Sequence, residues 1–264
     1  MQKNGWLGLT FHTLFILFIL APLVVVVAVS FTPEGYISLP VNGLSLRWFE
    51  AILDQSQFID AFVMSAWLAL VSASVSVALA VPAALALARY RFPGRGMLTA
   101  FFLSPLMIPH VVMGIAFLRF FNMAGMSGSF GWLSMSHVII VFPYALRLTL
   151  ASVIGLNRDA EFAAMSLGAG PATVFRRIVL PLIVPGVAGG WMLAFIQSFD
   201  EVTMTVFVAT PGTTTLPVAM YSYISQSIDP LVASVSTVLI VVTVAVMLLM
   251  DRLVGLDRVL VGKG

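Results

Sequence analysis

Charged residues are scarce in this chain of 264 residues. Asp, Glu, Lys and Arg make up 9% of it, whereas 60% of the residues are hydrophobic. A soluble domain carries roughly 25% charged residues, so the composition argues against a soluble globular enzyme. It also argues against a disordered chain, which requires low hydrophobicity. We therefore predict an all-α polytopic membrane protein.

Cysteine is absent, which excludes disulfide frameworks, CxxC redox sites and cysteine-bound metals. The 13 Lys and Arg residues are too few to favour nucleic-acid binding. No GxxxxGK[ST] phosphate loop occurs, because the tail with Gly255 and Gly262-Lys263 has the wrong spacing and lacks Ser or Thr. Neither a carboxylate pair with a base nor a metal-ligand cluster stands out. We predict no catalytic residue, no metal and no cofactor in this chain.

Six apolar stretches are long enough to cross a bilayer, since each helical span takes about 20 apolar residues. We predict that the first is a retained span, because its apolar core is longer than a signal-peptide core of roughly 7–15 residues. Pro105 and Pro109 interrupt the third span, and we expect them to kink it. The predicted transmembrane domain covers residues 1–264, with spans at about 11–31, 58–88, 97–121, 132–154, 182–209 and 231–250.

The positions of Lys and Arg predict the orientation. With the N-terminus in the cytoplasm, 11 of the 13 cations face the cytoplasm and only Arg47 and Arg119 face outward, as the positive-inside rule requires. Both termini are then cytoplasmic, the inner surface is basic and the outer surface is acidic. The inward-facing cations are Lys3, Arg89, Arg91, Arg95, Arg147, Arg158, Arg176, Arg177, Arg252, Arg258 and Lys263.

Two shorter patterns predict helix surfaces. Residues 45–54, SLRWFEAILD, have the period of an amphipathic helix that lies on the membrane or touches a soluble partner. One face of span two carries only small residues, which allow helix backbones to approach closely. These residues are Ser65, Ala69, Ser72, Ser76, Ala80 and Ala83.

The most informative segment is the cytoplasmic loop of residues 157–181. Its AEFAAMSL portion contains good helix formers, Gly168 and Gly170-Pro171 interrupt it, and ATVFRRIVL forms a second short helix that leads to Pro181. We predict a partly apolar helix–turn–helix that docks to another protein.

This loop matches the pattern E-A-A-x3-G-x9-I-x-L-P and so resembles the EAA loop of permease subunits of binding-protein-dependent ABC importers. Phe162 fills the position of the pattern's Glu, and the acid lies one place earlier at Glu161. One residue is about 100° of helix rotation, so Glu161 need not replace that Glu, and Phe162 could itself fill an apolar groove. The other matching positions are Ala163, Ala164, Gly168, Ile178, Leu180 and Pro181.

Three more segments, SLRWFEAI, ALARYRFPGRG and SFDEVTMTVFV, resemble the second permease subunit of spermidine/putrescine importers. The resemblance implies a six-span type I ABC importer permease fold in the bacterial inner membrane and transport of a polyamine-like cation by alternating access. It also implies a heterodimer with a second homologous permease subunit, two ATPase subunits that bind ATP and Mg, and a soluble substrate-binding protein. A permease for iron, phosphonate or an amino-acid-like solute, or a secondary transporter without ATP, are the alternatives.

Asp200 and Glu201 lie in the fifth stretch, where a carboxylate needs a polar setting. Two adjacent acids cannot share one helix face, so at most one points at a central pathway. They either attract a cationic substrate or pair with a cation such as Arg119. His110 and His137 are the other polar candidates in the membrane, for packing or for transport.

Overall fold

The computed structural model describes residues 5–126 and 128–254, which form helices and no strand. Lys3, Arg258 and Lys263, which the orientation prediction used, and the glycines of the tail lie outside these ranges. The helices are α1 (Trp6–Ser30), α2 (Arg47–Asp54), α3 (Ser56–Arg89), α4 (Arg95–Leu103), α5 (His110–Met123), α6 (Phe130–Ile154), α7 (Asp159–Ser166), α8 (Pro171–Val174), α9 (Leu180–Phe199), α10 (Thr205–Val208), α11 (Leu216–Ile224) and α12 (Leu231–Val254).

The chain divides into two compact units. Among the described residues, one unit comprises residues 5–60 and 219–249, and the other comprises residues 61–126, 128–218 and 250–254. The EAA-like loop, the two intramembrane acids and both candidate histidines belong to the second unit. The candidate sites are therefore contained in that unit.

In the first unit, α1 is apolar on every side and buries only Val29 and Ser30, as a helix surrounded by lipid does. Its end is held by Ser234 of α12, whose hydroxyl donates to the Ser30 carbonyl at 3.2 Å. The predicted amphipathic helix is α2. It begins at Arg47 and not at Ser45, and the Ser45 hydroxyl accepts from the Arg47 backbone N–H at 3.2 Å.

In the second unit, the small-residue face of α3 packs against α6, which confirms the predicted close approach and identifies the partner helix. The hydroxyls of Ser72 and Ser76 donate to the carbonyls of Ser134 and Val138, both at 3.4 Å. Most of this face is fully buried, and Ala83 is partly buried. Small side chains thus let the two helices approach within hydrogen-bonding distance.

Helices α6 and α9 also depend on glycine for close packing. A methyl group added at Gly186 would lie 2.3 Å from the Ser152 Cβ, and one added at Gly190 would lie 3.0 Å from the Ala145 carbonyl oxygen. Glycines four residues apart are on one face of a helix and permit backbone contact in a membrane.

Four helical segments among the described residues are long and apolar enough to span a bilayer: α1, α3, α6 and the continuous segment Pro171–Phe199. A fifth candidate is broken, because α4 with the turn after it and α5 meet at 96°. The apolar part of α12, Leu231–Ala245, is shorter than these. The all-α membrane fold is confirmed, whereas the count of six spans stays a prediction.

Candidate functional site

The first half of the EAA-like loop forms α7. The Asn157 side chain accepts from the Asp159 backbone N–H at 3.0 Å, in a turn that precedes the helix. Gly168 ends it with a φ of +88°, a left-handed conformation that glycine adopts without strain. The break that the sequence predicted at Gly168 is therefore present.

The second half of the loop differs from the predicted separate helix. Only Pro171–Val174 is a short α-helix, and Phe175–Val179 forms a wider π turn that runs directly into α9. Pro181 follows this turn, and a proline has no N–H for the regular helical ladder. Ile178 and Leu180 are half-buried and Pro181 is exposed. The second half of the loop, from Pro171 onward, thus continues as helix into the membrane-spanning α9.

Two residues of α7 and the residue that follows it present apolar groups outward. The Phe162 ring is half exposed, with the Arg158 guanidinium 4.9 Å above its centre. Met165 is 42% and Leu167 is 89% exposed. We call Phe162, Met165 and Leu167 the docking surface. Ala163 and Gly168 are also exposed, and Ala164 is half-buried.

Glu161 points away from the docking surface. It is 2% exposed, and its Oε1 atom lies 2.5 Å from Nη2 of Arg89, the last residue of α3. The one-residue offset of the acid therefore separates two environments: the carboxylate is buried and paired, and the aromatic ring beside it is exposed.

The second candidate site lies where two elements end. Pro105 belongs to the turn Ser104–Leu106, and Pro109, with φ −56° and ψ 131°, precedes the first residue of α5. These prolines mark the 96° bend. The kink predicted in span three is confirmed and amounts to a break.

The fifth apolar stretch is also interrupted, since α9 ends at Phe199 and not near 209. Glu201 Oε1 accepts from the Met204 backbone N–H at 2.7 Å, and Oε2 lies 2.6 Å from Nδ1 of His110. Glu201 is 6% exposed, whereas Asp200 is exposed. The two acids therefore diverge, as expected. The partner of Glu201 is His110 and not Arg119, the cation suggested by the sequence.

His137 is fully buried in the same unit. Its Nδ1 atom is hydrogen-bonded to the Ser198 hydroxyl at 2.9 Å and its Nε2 atom to the Thr205 hydroxyl at 3.0 Å. A neutral imidazole has one donor and one acceptor nitrogen, and a hydroxyl can complement either. Both ring nitrogens are thus satisfied inside the protein, which favours packing for this residue.

Sequence reasoning missed three contributors to these sites: Arg89, Gly114 and Thr205. A methyl group added at Gly114 would lie 2.7 Å from the Phe207 ring and 3.0 Å from the Met204 carbonyl oxygen, so this glycine lets α5 approach the segment after Glu201. The basic end of span two was a signal for Arg89, but no pattern linked it to an acid 72 residues away.

Within residues 5–126 and 128–254, no three His, Asp or Glu side chains are grouped as ligands for a metal ion. Glu161 and Glu201 each contact one basic side chain, Glu201 also accepts from a backbone N–H, and His137 contacts two hydroxyls. Their chemistry is that of charge placement and hydrogen bonding.

Residues 77–256 match the family model described as "Binding-protein-dependent transport system inner membrane component". The chain is 30% identical over 247 residues to the spermidine/putrescine transport system permease protein PotC of Haemophilus influenzae, which covers 94% of each chain. It is 30% identical over 232 residues to the putrescine transport system permease protein PotI of Escherichia coli, covering 84% of this chain and 82% of that one.

Among solved structures, one chain of a bacterial ABC transporter involved in the import of the acidic polysaccharide alginate shares the fold. The TM-score is 0.74 at 15% sequence identity, covering 95% of this chain and 96% of that chain. At this identity the likeness concerns the fold alone.

Proposed function

The chain belongs to the family of binding-protein-dependent transport system inner membrane components, and from that membership we propose that it is an importer permease that carries a polyamine or a similar small cation into the cytoplasm. Its similarity to the Haemophilus influenzae spermidine/putrescine permease over nearly the whole chain supports this substrate class. As a transport component it needs no catalytic residue of its own.

The energy for transport comes from two partner ATPase subunits that bind ATP and Mg. The observation that carries this proposal is the docking surface on α7, where Phe162 and Leu167 expose large apolar groups beside a charged loop. Such groups are favourable at a protein contact and unfavourable in water. The other partners are a second, homologous permease subunit, which makes a heterodimer, and a soluble binding protein.

The orientation follows the distribution of cations, with both termini and α7 on the cytoplasmic side. The described cations next to α7 support it, since Arg158, Arg176 and Arg177 are exposed near the docking surface. Positive residues prefer the cytoplasmic side of short loops. On this topology the binding protein approaches the opposite, acidic side of the membrane.

The substrate route passes Asp200. Its carboxylate is exposed in the chain, whereas Glu201 is occupied by His110 and by a backbone N–H. An ammonium group would therefore meet Asp200 first, and Glu201 would hold the segment after α9 against the start of α5.

The mechanism is alternating access. When ATP binding closes the ATPase dimer, α7 moves with it, and the continuous segment from Pro171 to Phe199 carries that movement to the end of α9. Asp200 directly follows this segment. A displacement at the docking surface on α7 would thus pass through α8 and α9 and change the accessibility of the acid at the end of α9.

The test is ATPase stimulation in liposomes containing the complex of this chain with the second permease, the ATPase subunits and the binding protein. We expect stimulation by spermidine or putrescine, together with uptake of the same ligand. Stimulation by an anion such as phosphonate and not by polyamines would contradict the substrate and leave the permease function intact. If the chain failed to co-purify with the ATPase subunits, the permease function itself would be wrong.

A further inference from the structure

Arg89 and Glu161 form an ion pair between two elements that are far apart in the sequence. Among the described residues it is the one contact between an arginine or lysine and a carboxylate that meets the distance of a salt bridge. Arg89 is the last residue of α3, and its side chain is 20% exposed. Glu161 lies in the first turn of α7. The pair therefore links a membrane-spanning helix to the helix that carries the docking surface.

This link adds a third attachment to α7. One end of α7 follows α6 through residues 155–158, and the other end leads to α8 through residues 167–170. Both connections contain a glycine, Gly155 and Gly168, and no atom lies within 4 Å of a methyl group built at Gly168. The backbone N–H groups of Gly168 and Ala169 donate to the carbonyls of Met165 and Ala164, both at 3.0 Å, and the contact to Arg89 adds a side-chain restraint on α7.

The burial of Glu161 makes the link specific. A carboxylate that is nearly removed from water requires a partner, and removing one member of such a pair leaves an uncompensated charge. The 2.5 Å contact to the guanidinium supplies that partner. The alternative positions of α7, in which the two side chains separate, are therefore unfavourable, and α7 is held to the end of α3.

The acid lies one residue before the position of Glu in the EAA pattern. This offset explains how α7 can contact α3 with one side and expose an aromatic ring on another. Glu161 turns inward to Arg89, and Phe162, about 100° further around the helix, turns outward under Arg158. With the acid at the position of Phe162, the carboxylate would face outward and could not reach the buried site beside α3.

We propose that Arg89 is a positioning residue that couples α7 to α3 through Glu161, so that a displacement of α7 by the ATPase subunits moves α3 together with α6 and α9. The inference rests on the proposed function, because it requires that α7 contacts an ATPase. It goes beyond that function by assigning α3 to the moving part of the permease and by naming the contact that moves it.

The experiment uses the absence of native cysteine in this chain. Arg89→Cys with Glu161→Cys removes both charges together, so no lone buried charge is left to prevent folding. The variant is assembled with cysteine-free partners, and ATPase stimulation by the ligand-loaded binding protein is measured before and after cross-linking with a bifunctional thiol reagent whose spacer matches the two original side chains. Molecules transported per ATP are measured in parallel.

We expect the unlinked variant to co-purify with the ATPase subunits but to lose stimulation by roughly 5-fold or more, which is the lower end of typical coupling between sites. Cross-linking restores stimulation and the transport ratio, a recovery that a merely structural role would not produce. Arg91→Cys with Glu161→Cys is the matched control. Arg91 is exposed close to Arg89, and cross-linking it should not restore coupling.

Two results would overturn the inference: wild-type stimulation in the unlinked Arg89→Cys, Glu161→Cys variant, or no recovery after complete cross-linking. Both leave the proposed function untouched, because the wild-type complex still assembles and transports. Failure of the wild-type chain to bind the ATPase subunits would instead contradict the proposed function.

Discussion

Asp200 and Glu201 are neighbours with different surroundings. Asp200 is exposed, and Glu201 is buried against His110. The sequence identified both acids and predicted that they diverge, because adjacent residues on a helix cannot share a face. It could not indicate which of them turns inward, since His110 is 91 residues away and only the folded chain brings it to Glu201.

Asp200→Asn tests the exposed acid. We expect the KM for uptake of the cationic substrate to rise by roughly 5-fold, since an exposed carboxylate contributes about 1 kcal/mol to attraction of an ammonium group. Assembly with the ATPase subunits should be unchanged. Uptake at a range of substrate concentrations in proteoliposomes measures this, with Asp54→Asn, at the exposed last residue of α2, as the control. An unchanged KM would contradict a role for Asp200 in the substrate route.

His137→Ala tests the buried imidazole. The substitution leaves the Ser198 and Thr205 hydroxyls without their partner, and we expect a loss of about 2–3 kcal/mol in stability. The midpoint of thermal unfolding of the purified complex should fall, while uptake per assembled complex stays at the wild-type level. His12→Ala, on the exposed surface of α1, is the control. An unchanged midpoint combined with lost uptake would indicate that His137 acts in transport.

At the scale of elements, the sequence predicted the helix break that prolines cause before α5. It missed the end of α9 at Phe199, which no proline marks. Pro105 and Pro109 predicted the break before α5. The end of α9 at Phe199 has no such signal, because the residues from Val202 to Val208 remain mostly apolar. After the end of α9, the Glu201 carboxylate accepts from the backbone N–H of Met204, three residues further on, and contacts His110, which is 91 residues away. The contact to His110 is tertiary and leaves no signal in the sequence.

Gly114→Ala tests how α5 is held against that segment. The added methyl group would lie 3.0 Å from the Met204 carbonyl oxygen and 3.1 Å from the Met204 Cα, and backbone atoms cannot move aside as a side chain can. We expect a destabilisation of about 1–3 kcal/mol, measured as a lower unfolding midpoint of the purified complex.

Gly131→Ala is the matched control for Gly114→Ala. Gly131 is also helical, and the nearest atom to a methyl group there lies 4.0 Å away. An equal effect of the two substitutions would show that loss of glycine, and not the close approach, determines stability.

At the scale of the whole molecule, the composition predicted a membrane protein and the EAA-like pattern predicted its class, and both are confirmed by the fold and the family. The pattern also predicted the helix that is α7, whose docking to an ATPase stays a proposal. It could not predict that Arg89 anchors this helix, because a salt bridge between residues 72 positions apart leaves no periodic signal in one sequence. The orientation in the membrane stays a prediction from the cations.

Phe162→Ala tests assembly of the complex. An exposed aromatic ring at the centre of an interface typically contributes about 1–2 kcal/mol or more, so the affinity for the ATPase subunits should fall by roughly 10-fold. Co-purification across a dilution series measures it. Phe120→Ala, which removes an exposed ring on α5 instead, should leave the affinity unchanged. If Phe162→Ala assembles like the wild-type chain, α7 does not dock through its aromatic side chain.

The π turn between Phe175 and Val179 sets the angle between α8 and α9. A π turn accommodates one residue more than an α-helical turn, and one residue corresponds to about 100° of rotation. Deletion of a single residue there would keep both helices but rotate α8, with the loop before it, relative to α9. The rotation of α8 relative to α9 therefore depends on these five residues, independently of the exposed side chains of α7 and of the length of α9.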